Sequence, residues 1–192
     1  MRKWIGFIML AGLLALAGCG GDNVETTMSE EVEDFEATTQ DGDTLARDDL
    51  LGTWWVADFV FTNCTTVCPP MTRNMKVLQD RLNEAGVENY HLVSFSVDPD
   101  RDTPEVLKEY AEEHGADLAT WTFLTGYDFD TIKDFSINSF KNLVAPPPEG
   151  DDQVTHGTAF FLVNPDGEVV KSYSGTEADE MDQIAEDLKN FQ

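Results

Sequence analysis

Apolar positions along the chain follow two periods, and the switches between them mark the elements. Thr53 to Phe61, "TWWVADFVF", is an almost continuous apolar and aromatic run of strand length. Such a run predicts a strand buried on both faces, with Asp58 the one position expected to escape burial. After Pro69-Pro70 the apolar residues Met71, Met75, Leu78, Leu82 and Ala85 recur at helical spacing, and Gly86 stands where a C-terminal cap belongs. "YHLVSFSV" from Tyr90 predicts a second buried strand. Asp102 or Thr103 then caps a helix that Pro104 opens and that runs through Leu107 and Tyr110 toward Gly115. "TWTFLTG" from Thr120 predicts a third strand, and Asp128 to Phe140 a helix with Phe129, Ile132 and Phe135 on one face.

The stretch "NLVAPPPEGDDQVTHG", with three prolines, breaks this regularity and is long enough to predict a functional or mobile loop. "TAFFLV" and "EVVKSYS" flank Asn164-Pro165-Asp166-Gly167, a hairpin signal, and a last helix carries Met181, Ile184, Leu188 and Phe191. Upstream, "FEATTQDGDTL" predicts an extra N-terminal β-hairpin turning at Asp41-Gly42. Strand, helix, strand, helix, strand, helix, hairpin, helix is an α/β order. It predicts a three-layer sandwich around a mixed central sheet, and cysteines at the first strand-to-helix junction make that sandwich thioredoxin-like.

The first residues read differently. Arg2 and Lys3 precede an apolar run from Trp4 to Ala17, too short for a comfortable membrane span, and Leu16-Ala17-Gly18-Cys19 closes it. Residues 1–18 are therefore expected to be a signal peptide, and Leu-Ala-Gly-Cys resembles the bacterial lipobox. A diacylated Cys19 would hold the protein on the outer face of the plasma membrane. Residues 19–31 are polar and predict a flexible tether, leaving 32–192 as one domain.

Charge narrows the function classes. Asp and Glu number 37 against 12 Lys and Arg, a formal net charge of −25. Such a surface repels nucleic acid and anionic headgroups and attracts metal cations or a basic partner. The acidic residues are scattered, as a solvated surface suited to high salt would have them.

The two remaining cysteines, Cys64 and Cys68 in "FTNCTTVCPP", sit at a predicted helix start, where the dipole favours thiolates. The residue before a proline avoids helical geometry, so Cys68 is expected as a cap and not as a helical residue. On spacing alone, a structural disulfide, a redox couple and a metal clamp all stay open. Two sulfurs suit Cu(I), and a metal would want a further ligand such as imidazole. Three histidines exist: His114 at a helix end and His91 in a strand read as structural, whereas His156 begins the strand expected opposite the cysteines. Met71 and Met75, one turn apart, share their register with Leu78 and Leu82 and read as core rather than thioether ligands.

"FVFTNCTTVCPPM", "SFSVDPDRDTPEVLKEYAEEHGA" and "THGTAFFLVNPDGEVV", in this order, resemble the Sco/SenC family of copper-delivery proteins. The resemblance implies a thioredoxin-like, membrane-tethered metallochaperone in which Cys64, Cys68 and His156 bind Cu(I) or Cu(II). It implies a role in assembling the dinuclear copper centre of cytochrome c oxidase subunit II, with a monomer expected. A thiol-disulfide oxidoreductase that keeps the oxidase cysteines reduced would use the same redox-active pair, Cys64 and Cys68. Asp98 in "VDPDRDTP" belongs to the family motif, as a turn residue or beside the metal. The strand after His156-Gly157-Thr158 lacks the proline of a general disulfide reductase, and Phe61 stands where a peroxiredoxin-like motif needs proline.

Overall fold

The computed structural model describes residues 26–191. The expected signal peptide, the first part of the expected tether and Cys19 lie outside the described residues. In chain order the elements begin with β1 (Glu30–Glu31), β2 (Glu36–Thr39), β3 (Thr44–Ala46), α1 (Arg47–Leu50), β4 (Trp54–Val60) and α2 (Cys68–Glu84). Next come β5 (Tyr90–Ser96), α3 (Pro104–Glu113), β6 (Trp121–Thr125), α4 (Phe129–Phe140) and β7 (Val144–Ala145). The chain ends through β8 (Thr155–His156), β9 (Ala159–Val163), β10 (Glu168–Ser174) and α5 (Glu180–Phe191).

The main sheet has eight strands in the order β1-β10-β9-β4-β5-β6-β2-β3. β4, β5 and β6 run parallel, and β9 joins β4 antiparallel, so the sheet is mixed, as expected. β2 and β3 form the N-terminal hairpin and lie on β6 at one edge. Alternation along β4 divides the core. Val56 and Val60 face Met71, Met75, Leu78 and Leu82 of α2, together with residues of α3 and α5. Trp55, Ala57 and Phe59 face Ile132, Phe135 and Phe140 of α4. The second side is an aromatic cluster, with the Phe59 and Phe95 rings stacked at 5.5 Å and Phe140 edge-on to Phe59 at 5.4 Å. Two helical layers thus sandwich the sheet, and the arrangement is thioredoxin-like.

Local chemistry explains where the helices start and stop. Pro69 and Pro70 occupy the first turn of α2, whose N–H groups have no partner in the helix to lose. Gly86, at φ +67°, follows the C-cap Ala85 in the left-handed conformation that glycine adopts without strain. Thr103 Oγ1 accepts from Val106 N at 3.4 Å to cap α3, and Asp128 Oδ1 accepts from Thr131 N at 2.8 Å to cap α4.

Five expectations differ from the structure. Asp58 is fully buried, because alternation puts it between Val56 and Val60 on the face of β4 that α2 covers. The described end of the segment read as a tether is held on the sheet: Thr27 and Met28 donate to Val170 O, and Glu30 pairs with Val169. The proline-rich stretch is not wholly irregular, since β7 and β8 pair within it. His156 therefore belongs to this separate ribbon and not to the start of β9. Lastly, Cys68 is the first residue of α2, with Val67 as its N-cap, so the pre-proline preference is overridden at this helix start.

Met71 and Met75 are fully buried in the core, as their register required. Met75→Leu, which conserves volume, is expected to change stability by less than ~1.5 kcal/mol, whereas Met75→Ala is expected to cost ~2–5 kcal/mol. Urea unfolding of the two variants checks this.

Candidate metal centre

The cysteines lie where β4 runs into α2. The loop between them needs support, because it leaves the sheet before the helix has begun. Asp102, fully buried, supplies it: its Oδ1 accepts from Thr62 Oγ1 at 2.6 Å and its Oδ2 from Ser96 Oγ at 2.5 Å. Thr62 N also donates to this carboxylate, at 3.3 Å. The turn is closed by Cys64 N donating to Phe61 O at 3.2 Å.

The proline-rich segment crosses over this loop and is tied to it. Asn63 Nδ2 donates to Asp152 Oδ2 at 2.8 Å, and Gln153 Nε2 donates to Asn63 O at 3.1 Å. Thr65 N donates to Gln153 Oε1 at 3.3 Å. Arg101 bridges from the turn before α3, meeting Asp98 at 3.3 Å and Asp152 at 3.5 Å. These ties bring His156 to the cysteines. Its Nε2 lies 3.2 Å from Cys68 Sγ, and the edge of the Phe61 ring packs against the imidazole.

His156 Nδ1 lies 2.8 Å from Gly157 O. A carbonyl only accepts, so Nδ1 carries the proton and the lone pair of the neutral ring is on Nε2, facing the sulfurs. Orienting one ring nitrogen through a backbone carbonyl is how metal-ligating histidines are commonly held. Gly157 has no room for a side chain, since a Cβ there would stand 1.9 Å from Asn142 Oδ1.

Cys64, Cys68 and His156 place their ligand atoms within 4.8 Å of one another, the one such group among the described residues. All three are buried, Cys68 completely. Cys64 and His156 line a shallow opening with Phe61, Val67 and Pro148, while Cys68 lies behind them. Two soft sulfurs and one imidazole fit a thiophilic transition-metal ion and leave an open side for an incoming ligand.

The sulfurs are not equivalent. Cys64 Sγ accepts from Cys68 N at 3.3 Å, at the positive end of α2. The Cys68 thiol, with help from the backbone of Thr66 and Cys68, pulls the Cys64 pKa down to about 3. Cys68 is pushed far up, first by donating to Cys64 and then by burial. The free pair is therefore one thiolate and one thiol, and neither cysteine is in a disulfide.

Asp98 lies outside the ligand group and acts through Arg101 on the loop that carries His156. His114 caps α3, its Nδ1 2.9 Å from Tyr110 O, and His91 pairs with Thr122 Oγ1 at 2.9 Å, so both histidines are structural. The sequence reading missed Asn63, Gln153 and Asp152 as the ties, and Asp102 as the support of the loop. For Asp58, whose burial pushes its carboxyl up to about 7, the signal was an acid inside an apolar strand.

The model of the SCO1/SenC family matches residues 23–192. The chain belongs to the SCO1/SenC family. A SCO1/SenC family lipoprotein from Bacillus anthracis is similar at 46% identity and a TM-score of 0.79, covering 83% of this chain and 94% of that one. BsSco, described as a Sco cytochrome c oxidase assembly protein with a disulfide switch, is similar at 43% identity and a TM-score of 0.78. That match covers 87% of this chain and 95% of BsSco. Yeast Sco1, solved with copper bound, is similar at 26% identity and a TM-score of 0.68, with 83% and 89% of the two chains covered.

Two outcomes test this geometry. Because the Cys64 pKa is lowered to about 3, its thiolate persists as pH falls from neutral until that value is approached. Iodoacetamide at mildly acidic pH is expected to label Cys64 and spare Cys68, read by peptide mass spectrometry. Gly157→Ala is expected to destabilise the fold by ~1–3 kcal/mol through overpacking against Asn142, read by urea unfolding.

Proposed function

We propose that this protein binds copper through Cys64 Sγ, Cys68 Sγ and His156 Nε2 and delivers it during assembly of cytochrome c oxidase, to the dinuclear centre of subunit II. The observation that carries this reading is the convergence of the three buried ligand atoms within 4.8 Å. Copper is cargo here, so the site must hold it firmly and still release it. Two thiolates and an imidazole suit either valence, and the fourth side is left to a ligand of the recipient. Cys64 and His156, at the opening, are the ligands an incoming thiol or imidazole reaches first. Cys68 is the last to let go.

Binding requires both sulfurs as thiolates. Cys64 is already one, and Cys68 gives up its proton as the ion enters. Gly157 O holds the Nδ1 donor, which leaves Nε2 as the ring atom turned toward the ion. Residues 1–18 are assigned as a signal and Cys19 as a lipid anchor, which places the domain on the outer face of the plasma membrane; the lipobox-like Leu-Ala-Gly-Cys and the similar Bacillus anthracis lipoprotein support this. No helix among the described residues is long and apolar enough to cross a membrane.

A second reading is favoured by the unequal sulfurs. One reactive thiolate beside a protonated thiol is the equipment of a thiol-disulfide oxidoreductase, and the same pair would serve to keep the oxidase cysteines reduced. His156 separates the two, since disulfide exchange does not require it.

Copper titration of the reduced protein, followed by thiolate-to-copper absorption, is expected to saturate at one ion per chain. Affinity is expected to fall at least about tenfold in His156→Ala and further in Cys64→Ser, as losses of a metal ligand or its support commonly do. Equal affinity in wild type and His156→Ala would remove His156 from the site. Rapid reduction of a mixed disulfide without copper binding would favour the oxidoreductase.

A further inference from the structure

A groove of about 360 Å³ opens between α4 and the segment that leads into β2, and it shares no lining residue with the opening at Cys64 and His156. Its floor is apolar, built from Phe35, Phe95, Ile132 and Phe135. Phe35 stands edge-on to Phe95 at 5.3 Å and to Phe135 at 5.4 Å, so the three rings hold one another in place. Phe95, Ile132 and Phe135 are buried, whereas Phe35 is only half-buried. Tyr127 adds a ring but no free polar atom, because its hydroxyl is turned inward onto the carbonyls of Ser96, at 2.9 Å, and Leu124, at 2.8 Å.

The rim has the opposite character. Glu33, Asp34, Glu36 and Asp134 stand exposed around the mouth, and no lysine or arginine lines it. Arg47, outside the groove, meets Asp34 at 3.0 Å, and Lys133 meets Asp134 at 3.8 Å. Glu33 and Glu36 have no ion pair among the described residues. A concave site of this size, apolar within and polar at a few points, has the form of a binding site. Here every charge at its mouth is negative, and an apolar ligand bearing cations meets both the floor and the rim.

We propose that this groove docks a protein partner through a short basic segment carrying an aromatic side chain. The ring packs on Phe35 and its neighbours, and the flanking lysines or arginines meet the rim carboxylates. Charge selects this occupant. A second copy of the chain brings a net charge of −25 toward the carboxylates, and the chain's own residues 19–25 bring Asp22 and Glu25 and no cation. Both are repelled, as is an anionic lipid surface. The groove lies at a telling place in the fold. Phe95 and Tyr127 lie at the C-terminal ends of β5 and β6, the same end of the sheet from which the cysteine loop leaves β4. The inference does not rest on copper, because the groove and the metal centre share no residue.

The test is calorimetric titration of the full, metal-free chain in phosphatidylcholine nanodiscs with the end-blocked peptide Lys-Lys-Phe-Lys-Lys. The controls are Lys-Lys-Ala-Lys-Lys and Glu-Glu-Phe-Glu-Glu. At low salt the first peptide is expected to bind one per chain, about tenfold or more tighter than either control, since each control lacks the buried ring or the attractive charge. Its affinity is expected to fall as added salt screens the rim. Glu36→Lys combined with Asp134→Lys reverses two exposed rim charges and is expected to weaken binding by about tenfold. Thr131→Trp, at an exposed position in the first turn of α4, is expected to fill the mouth and abolish binding. Urea unfolding checks that both variants keep the fold, and their copper affinity is expected to match wild type, which separates this outcome from that of the copper reading. With benzoylphenylalanine in place of the peptide phenylalanine, photocrosslinks are expected at Phe35, Ile132 or Phe135, read by mass spectrometry. Equal binding of the phenylalanine and alanine peptides overturns the inference, and so do crosslinks elsewhere or binding that both variants leave intact. If phenethylamine binds as tightly as the peptide, the groove holds a small organic cation and the protein partner is wrong. Self-association that Thr131→Trp abolishes would give the groove to a second copy, and would overturn the inference as well.

Discussion

Everything at this site depends on keeping a thiolate stable in a place that excludes water. Burial alone would keep Cys64 protonated, since a charge loses its hydration as it enters a low-dielectric interior. Two local features reverse that outcome: the Cys68 thiol donates to Cys64 Sγ, and the first turn of α2 presents an N–H to the same sulfur. Each depends on where α2 begins. Starting the helix at Cys68 aims the Cys68 N–H back at Cys64, and the two prolines that follow cost nothing at positions without helical partners. The spacing of three residues between the cysteines is thus a helix-start geometry more than a loop-closing one.

The sheet supplies the long-range part. β4 and β9 are neighbours, although more than a hundred positions separate Val56 from its partner Leu162 in the chain. That adjacency returns the proline-rich segment to the cysteine loop. Hydrogen bonds from Asn63, Thr65 and Gln153 then fix the last few ångströms, while Arg101 and Asp98 connect the third loop. Loops on a rigid sheet commonly carry function, and here three of them share one network. Releasing His156 would need several of these modest bonds to break together, without disturbing either core.

The elements that were legible in the sequence are those whose period is strong. β4, α2, β5, α3, β6, α4, the β9–β10 hairpin and α5 all follow from apolar spacing and caps such as Gly86, Thr103 and Asp128. Cys64, Cys68 and His156 were legible as candidates because their chemistry is rare in this chain. What stayed hidden depends on three-dimensional partners. Two-residue strands such as β7 and β8 have no period to detect, so His156 was assigned to the wrong strand. Asp102 was visible only as a possible cap, since its bonds to Thr62 and Ser96 join segments far apart in sequence. Cys68 was misplaced by applying the pre-proline rule, a local steric tendency that this helix start overrides.

Asp58 shows what such a misreading can reveal. An acid within an apolar strand contradicts the local pattern, and the simplest resolution is to turn it toward water. The structure instead buries it with one oxygen unpaired. Departures from local consistency gather where function demands them. Of the groups around Asp58, Ser94 and Trp121 explain one oxygen only, and a structural role would have been better filled by a neutral residue. What distinguishes an acid from its neutral isostere at this point is charge, and burial opposes that charge by pushing the carboxyl up to about 7.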